Sequence, residues 1–251
     1  MIPVLNRRFE CAGCGKCCTN LRKAFYNTAK NEEIVFSLTD SPGLPLWEWE
    51  ARRLKVLARK KGREATIEPL HFLHDTISGR SVVISFHLNH SSCIFHEPGR
   101  CTIYQKRPFA CAMFPVIRSG VFDFSSEKKA VNLQKSICPG DNGGEVVYGR
   151  MSSAEYTTRM RQYYGDNFDV SVQNDLVNYF IVKKIRQMVE DGLIDPLVSP
   201  KSSALDAFGG SEKITFFGLL SENGENTEDL ADDLASLMQS RKMIDAILEG
   251  G

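Results

Sequence analysis

The chain has 251 residues, with 31 lysines and arginines balanced by 31 aspartates and glutamates and a hydrophobic content of 42%. A net charge of zero offers no surface tuned to polyanions, so neither nucleic acid nor an anionic membrane is an expected partner. No run approaches the ~18 apolar residues that cross a bilayer, and the size suits one large domain or a core domain with a helical attachment.

At the N-terminus, residues 1–9 contain Arg7 and Arg8 and no apolar stretch of a secretory signal, so a reducing, cytoplasmic setting is expected. Next comes Cys11-Ala-Gly-Cys14-Gly-Lys-Cys17-Cys18, four thiols in eight residues with glycines at the bends. Two-residue gaps let a chain wrap soft ligands around a metal. On extended backbone the neighbours Cys17 and Cys18 would face opposite ways, which predicts that they serve different metals or that one is spare.

Residues 33–39 mix β-branched and apolar side chains and predict a short strand, closed by Asp40-Ser-Pro-Gly43. Residues 47–61 carry Trp47, Ala51, Leu54, Leu57 and Ala58 at helical spacing, and Gly62 stands where a C-terminal cap belongs. The charged face of this helix, with Arg52, Arg53, Lys55, Arg59, Lys60 and Lys61, reads as a solvated surface suited to a helix end. Residues 66–70 and 80–88 predict two strands of a hairpin turning at 76–79.

All five histidines, His71, His74, His87, His90 and His96, fall in or beside these strands. Histidines three apart on a strand point to opposite faces, so structural roles are expected. His90 and His96, which flank Cys93, are the candidates for supporting a metal. The remaining thiols are Cys93, Cys101, Cys111 and Cys138. Beyond them, Ser152 or Ser153 starts a helix to Tyr164, and residues 170–191 give a longer one with Leu176, Phe180, Val182, Ile185 and Val189 on its apolar stripe. Tyr156, Tyr163, Tyr179 and Phe180 read as packing. Residues 141–144 read as a loop, 195–210 as a linker, and Thr227 as the cap of a last helix.

Eight cysteines in a chain large enough to need no covalent staples point to ligation rather than disulfides. Tetrahedral zinc and iron–sulfur cubes both accept thiolate. The gaps from Cys11 to Cys17 match a bacterial ferredoxin run, and Cys138-Pro139 matches its remote fourth ligand. One partition therefore groups Cys11, Cys14, Cys17 and Cys138, leaving Cys18 with Cys93, Cys101 and Cys111. Arg7, Arg8, Lys16, Arg100, Lys106 and Arg107 could offset the thiolate charge, Arg107 foremost. Radical chemistry with S-adenosylmethionine is disfavoured because the three-residue first gap is missing, and no phosphate loop, nucleophile elbow or thioredoxin-like frame is present.

Together the run at 11–18, Cys93-Ile-Phe-His, Cys101-Thr-Ile-Tyr104 with Arg107-Pro108, Cys111 with Phe114-Pro115, and Cys138-Pro-Gly140 resemble the CxxCxxCC (YkgJ-type) cysteine-cluster family. The resemblance covers residues 11–140. It departs at Ala112, where a basic residue is common in that family. The resemblance implies zinc or iron chelation by Cys11, Cys14, Cys17, Cys18, Cys93, Cys101, Cys111 and Cys138. A related branch, the flagellin lysine methylases, is similar in its cysteines and implies an iron–sulfur cluster more strongly than zinc.

The combined expectation is an α+β protein. A small irregular metal-stapled domain with a short antiparallel sheet occupies residues 1–148, and a helical C-terminal region occupies 149–251. Its expected function is binding of an iron–sulfur cluster, [4Fe-4S], with a redox or modification role and an unknown redox or protein partner. The alternatives are a structural zinc-binding interaction module and a cluster-dependent protein lysine methylase.

Overall fold

The computed structural model describes residues 9, 11, 14–19, 21, 34–118, 131–133 and 153–226. Cys138, the 141–144 loop and the helix expected from Thr227 lie outside the described residues.

The architecture is α+β, centred on a curled sheet. Strand β1 is Phe36–Ser37, β2 is Leu44–Leu46, β3 is Ile67–His74 and β4 is Ser81–Leu88. The order is β1-β3-β4-β2, with antiparallel pairing throughout this path. The β3–β4 hairpin turns where expected, although β3 continues past Leu70 to His74 through two register irregularities. On the far edge of β4, β2 pairs with the C-terminal half, while β5 (Lys213–Thr215) pairs in parallel with Ser81, Val82 and Val83. With both faces and both edges covered, nearly every residue of β4 is buried, so its sequence is an apolar run rather than an alternation.

The first helix of the sheet region, Glu48–Lys60, follows its sequence closely. Glu50 reaches back to accept the Trp47 N–H at 3.0 Å, half of a capping box. At the other end Gly62 takes φ +64 and donates to Arg59 O, while Arg63 donates to Ala58 O. This pair of bonds is a Schellman ending, which needs a residue at ease in left-handed backbone. Ala51, Leu54 and Ala58 are buried and the cations on the opposite face are exposed.

Two cores flank the sheet. Leu73, Val82 and Ile84 pack with Val177, Phe180, Ile181 and Ile185 of the long helix Asp166–Glu190 and with Phe216 and Leu220 of the helix Phe216–Glu222. Leu44, Leu46, Leu54 and Leu88 pack instead with Leu21, Phe95, Ile103, Met113 and Phe114, and the thiols of Cys17, Cys93, Cys101 and Cys111 border this second core. Burying each large side chain such as Leu21 or Phe95 contributes roughly 1.5–3 kcal/mol, enough to seat the irregular cysteine loops on the sheet.

The helices Ser153–Tyr164 and Asp166–Glu190 begin within a few residues of their expected starts. Phe180 and Tyr163 are core residues, but Tyr179, read as packing, and Val189, read as part of the apolar stripe, are each 41% exposed, which corrects both. A broad stripe on a 25-residue helix overlaps its own margins, and these two lie there. Residues 195–210 are a further correction. A helix, Lys201–Gly210, starts behind Pro200 and packs Ala204 and Phe208 on Phe36 and Phe72. Proline at the lip of a helix loses no intrahelical bond, so the linker-like composition concealed a start signal. Among the described residues no helix is long and apolar enough to cross a membrane.

Candidate metal centre

Seven of the eight cysteines converge. Cys11, Cys14, Cys17, Cys18, Cys93, Cys101 and Cys111 all line one cavity of about 280 Å³, together with His96, Arg100, Tyr104 and Arg107. All seven are free thiols. Apolar side chains of Leu21, Leu44, Phe95, Ile103 and Phe114 line the rest of the space.

Each segment reaches the cavity by its own local device. Gly15 at φ +71 turns the chain into the short helix Lys16–Thr19, where Thr19 N–H bonds Gly15 O at 2.8 Å. Cys17 and Cys18 are therefore on helical rather than extended backbone, which corrects the expected divergence. Neighbours on a helix are about 100° apart rather than opposed, and their sulfurs stand 4.0 Å from each other. This turn is stitched to the second cluster by Leu21 N–H to Ser91 O at 2.9 Å, Cys93 N–H to Cys18 O at 2.6 Å and Ser92 Oγ to Thr19 O at 3.1 Å.

Cys93 and Cys101 bracket a small ribbon, His96–Glu97 against Arg100–Cys101, in which His96 and Cys101 are directly paired. Phe95 is fully buried beneath it, and Arg63 ties it to the helix Glu48–Lys60 by donating to Ile94 O and pairing with Glu97 at 3.0 Å. Cys111 rides on the helix Phe109–Met113. Glu50, which sequence reasoning did not single out, accepts the Phe109 N–H at 2.7 Å while still holding Trp47, so one carboxylate serves the starts of two helices, Glu48–Lys60 and Phe109–Met113. From the other side Asn167 donates to Ala112 O and Phe114 O, each at 2.8 Å. The C-terminal helices, chemically quiet in sequence, thus clamp the segment that carries Cys111. They also hold the N-terminal loop through Phe9 N–H to Tyr163 O at 2.6 Å.

The thiols perturb one another. A hydrogen bond from the Cys18 thiol is the main cause that draws Cys17 down to about 7, burial opposing it and the Arg107 charge assisting. Cys18 is pushed up chiefly as the donor in that bond, and further by burial and by Cys17, Cys111 and Cys93. Burial pushes Cys93 and Cys111 up, and nearby Cys17 and Cys101 add to both shifts. Such mutual repulsion is what a cation placed among the sulfurs would relieve. The charge of Arg107 reaches both Cys17 and Cys111, its guanidinium 3.8 Å above the Tyr104 ring and its Nε donating to Tyr104 O at 3.0 Å.

Four histidines are engaged elsewhere. His71 and His74 bond Ser85 and Ser81, His87 accepts from Gly43 N–H, and His90 accepts from Thr66 N–H. His96 is different: its Nε2 is buried without a hydrogen-bond partner. Among the described residues no three ligand side chains are drawn tightly enough to grip a bare ion, so the thiols line a space rather than a point. The donor set nonetheless fits a thiophilic metal group, being sulfur-rich, shielded by apolar walls and edged by cations. Comparison with curated proteins and with solved structures gave no match. Residues 10–139 match the CxxCxxCC family, described as a putative zinc- or iron-chelating domain, and the chain belongs to that family.

Proposed function

We propose that the chain binds an iron–sulfur cluster, [4Fe-4S], with its thiolate ligands drawn from Cys11, Cys14, Cys17, Cys18, Cys93, Cys101, Cys111 and Cys138, and works with a redox or protein partner in the reducing cytoplasm. The observation that carries this reading is the single cavity of about 280 Å³ lined by seven of those thiols. One liquid water occupies about 30 Å³, so the space is several-fold larger than a lone ion needs. A bound cluster would supply one-electron chemistry. The chain's own part is to deliver thiolates, to exclude water with Leu21, Leu44, Phe95 and Phe114, and to offset charge with Arg107 and Arg100.

A structural zinc module is the second reading. The 4.0 Å between the Cys17 and Cys18 sulfurs is close to the edge of about 3.8 Å expected for two thiolates on tetrahedral zinc. Metal and acid-labile sulfide analysis of full-length protein purified without oxygen separates the two. Iron and sulfide in similar amounts, with broad visible absorbance, support the cluster; zinc alone in a colourless protein refutes it. The lysine methylase reading requires S-adenosylmethionine binding, and a calorimetric titration without heat removes it.

A further inference from the structure

We propose that His96 Nε2 is a nitrogen ligand to the metal group held by the thiols, so that the site is a mixed cysteine–histidine centre. This rests on the metal-binding reading above and adds a residue to it. Of the five histidines, His96 alone has a ring nitrogen that is both buried and without a partner. The others spend a ring nitrogen on a serine or on a backbone N–H.

Three placements set His96 beside the thiols. His96 lines the same cavity as the seven thiols. It is paired directly across the ribbon from Cys101, and paired positions on antiparallel strands project their side chains to one face. Its backbone N–H bonds Cys93 O at 3.1 Å, so two cysteine-bearing positions set its backbone. The loop on the opposite wall makes room for it. A Cβ built on Gly15, between Cys14 and Cys17, would lie 2.1 Å from Nε2. The ring therefore rests against the bend of the ligand loop, where only glycine lets it in.

The electronics of the ring suit a ligand role. A neutral imidazole carries one N–H and one lone pair, and thiolates are acceptors only. With the proton on Nδ1, the buried Nε2 keeps an unshared lone pair at the wall of a cavity edged by sulfur lone pairs. That arrangement is repulsive until a cation sits between them, and imidazole suits both zinc and iron.

Anaerobic cobalt(II) titration of the full metal-free chain tests this. Wild type, His96→Ala and His96→Cys are compared by the intensity of sulfur-to-cobalt charge transfer and the energy of the ligand-field bands. His96→Ala is expected to bind cobalt at least about tenfold more weakly, with charge transfer retained and the ligand-field bands altered. His96→Cys is expected to recover tight binding, with bands shifted to lower energy by the extra sulfur. Unchanged affinity and bands in His96→Ala overturn the proposal while leaving the thiol reading intact. Absence of charge transfer in wild type overturns the thiol reading itself, and this proposal with it. Should His96→Ala fail to fold, the wild-type chain labelled with 15N-histidine decides the matter. A large shift of the His96 Nε2 resonance on adding zinc(II) supports ligation, and an unmoved resonance refutes it.

Discussion

Replacing Glu50 with glutamine separates the two tasks that one buried carboxylate performs. Its oxygens accept the N–H groups of Trp47 at 3.0 Å and Phe109 at 2.7 Å, with an Arg53 guanidinium nitrogen 3.9 Å away. Burial outweighs these partners and pushes its pKa up to about 7. An acid whose folded pKa lies above its unfolded value binds the extra proton in the native state, so it stabilises below about 4.5 and loses that contribution as pH rises through about 7. Between pH 5 and pH 8 the wild type should lose roughly 2–3 kcal/mol from this group alone. Glutamine does not titrate, so its stability curve should lack that slope. It also turns an amide NH2 towards one of the two backbone donors, at a cost of about 1–3 kcal/mol for the donor left unpaired. The expected result is a variant clearly weaker than wild type at pH 5, with the gap narrowing by roughly 2–3 kcal/mol at pH 8. Urea unfolding of the metal-free chain at both pH values measures it, and the titrating thiols cancel in the comparison. Parallel curves for the two proteins would refute the assignment of a buried, pH-dependent carboxylate.

Gly15→Ala forces a side chain into left-handed backbone, costing about 1–2 kcal/mol, and drives its Cβ into the His96 ring; unfolding and cobalt affinity indistinguishable from wild type would contradict that geometry. Cys18→Ala removes the main cause that lowers Cys17, so the pH profile of Cys17 alkylation in metal-free protein should move from about 7 towards the ordinary 9.0, and an unmoved profile counts against the Cys17–Cys18 bond. Burial, then the charges of His87 and Lys201, hold His71 down to about 3. Stability should therefore fall as pH drops from about 6.5 towards 3, by about 2 kcal/mol at pH 5, and His71→Gln should flatten that acid limb in pH-dependent unfolding.

The helix Glu48–Lys60 and the β3–β4 hairpin were legible because their signals are local. Periodic leucines and alanines, a glycine at the stop and a polar turn between apolar runs lie within one element each. Strand β5 was not legible, since Lys213–Thr215 is a strand only because β4 offers it an edge more than a hundred residues away. The cysteine list could be read from spacing, and seven of its members share one cavity. The backbone that joins them could not. Whether Cys17 and Cys18 diverge or converge turns on a helical turn set by Gly15, and Glu50 looks in sequence like one more charge on a solvated helix. His96 was singled out for flanking Cys93, but its distinction from His90 depends on which of them finds a backbone donor.

The clamp by Asn167 and Tyr163 has a consequence for biosynthesis. Cys11 through Cys18 leave the ribosome first, whereas the residues that grip the far wall follow some 150 positions later. At 5–20 residues per second, that leaves the leading thiols without their enclosure for roughly 8–30 s. Metal delivered during this interval meets separate loops, and the enclosed cavity waits for the helices that carry Tyr163 and Asn167. A chain ended at residue 150 keeps every cysteine yet lacks both grips, and should retain markedly less metal than the full-length protein when both are isolated side by side.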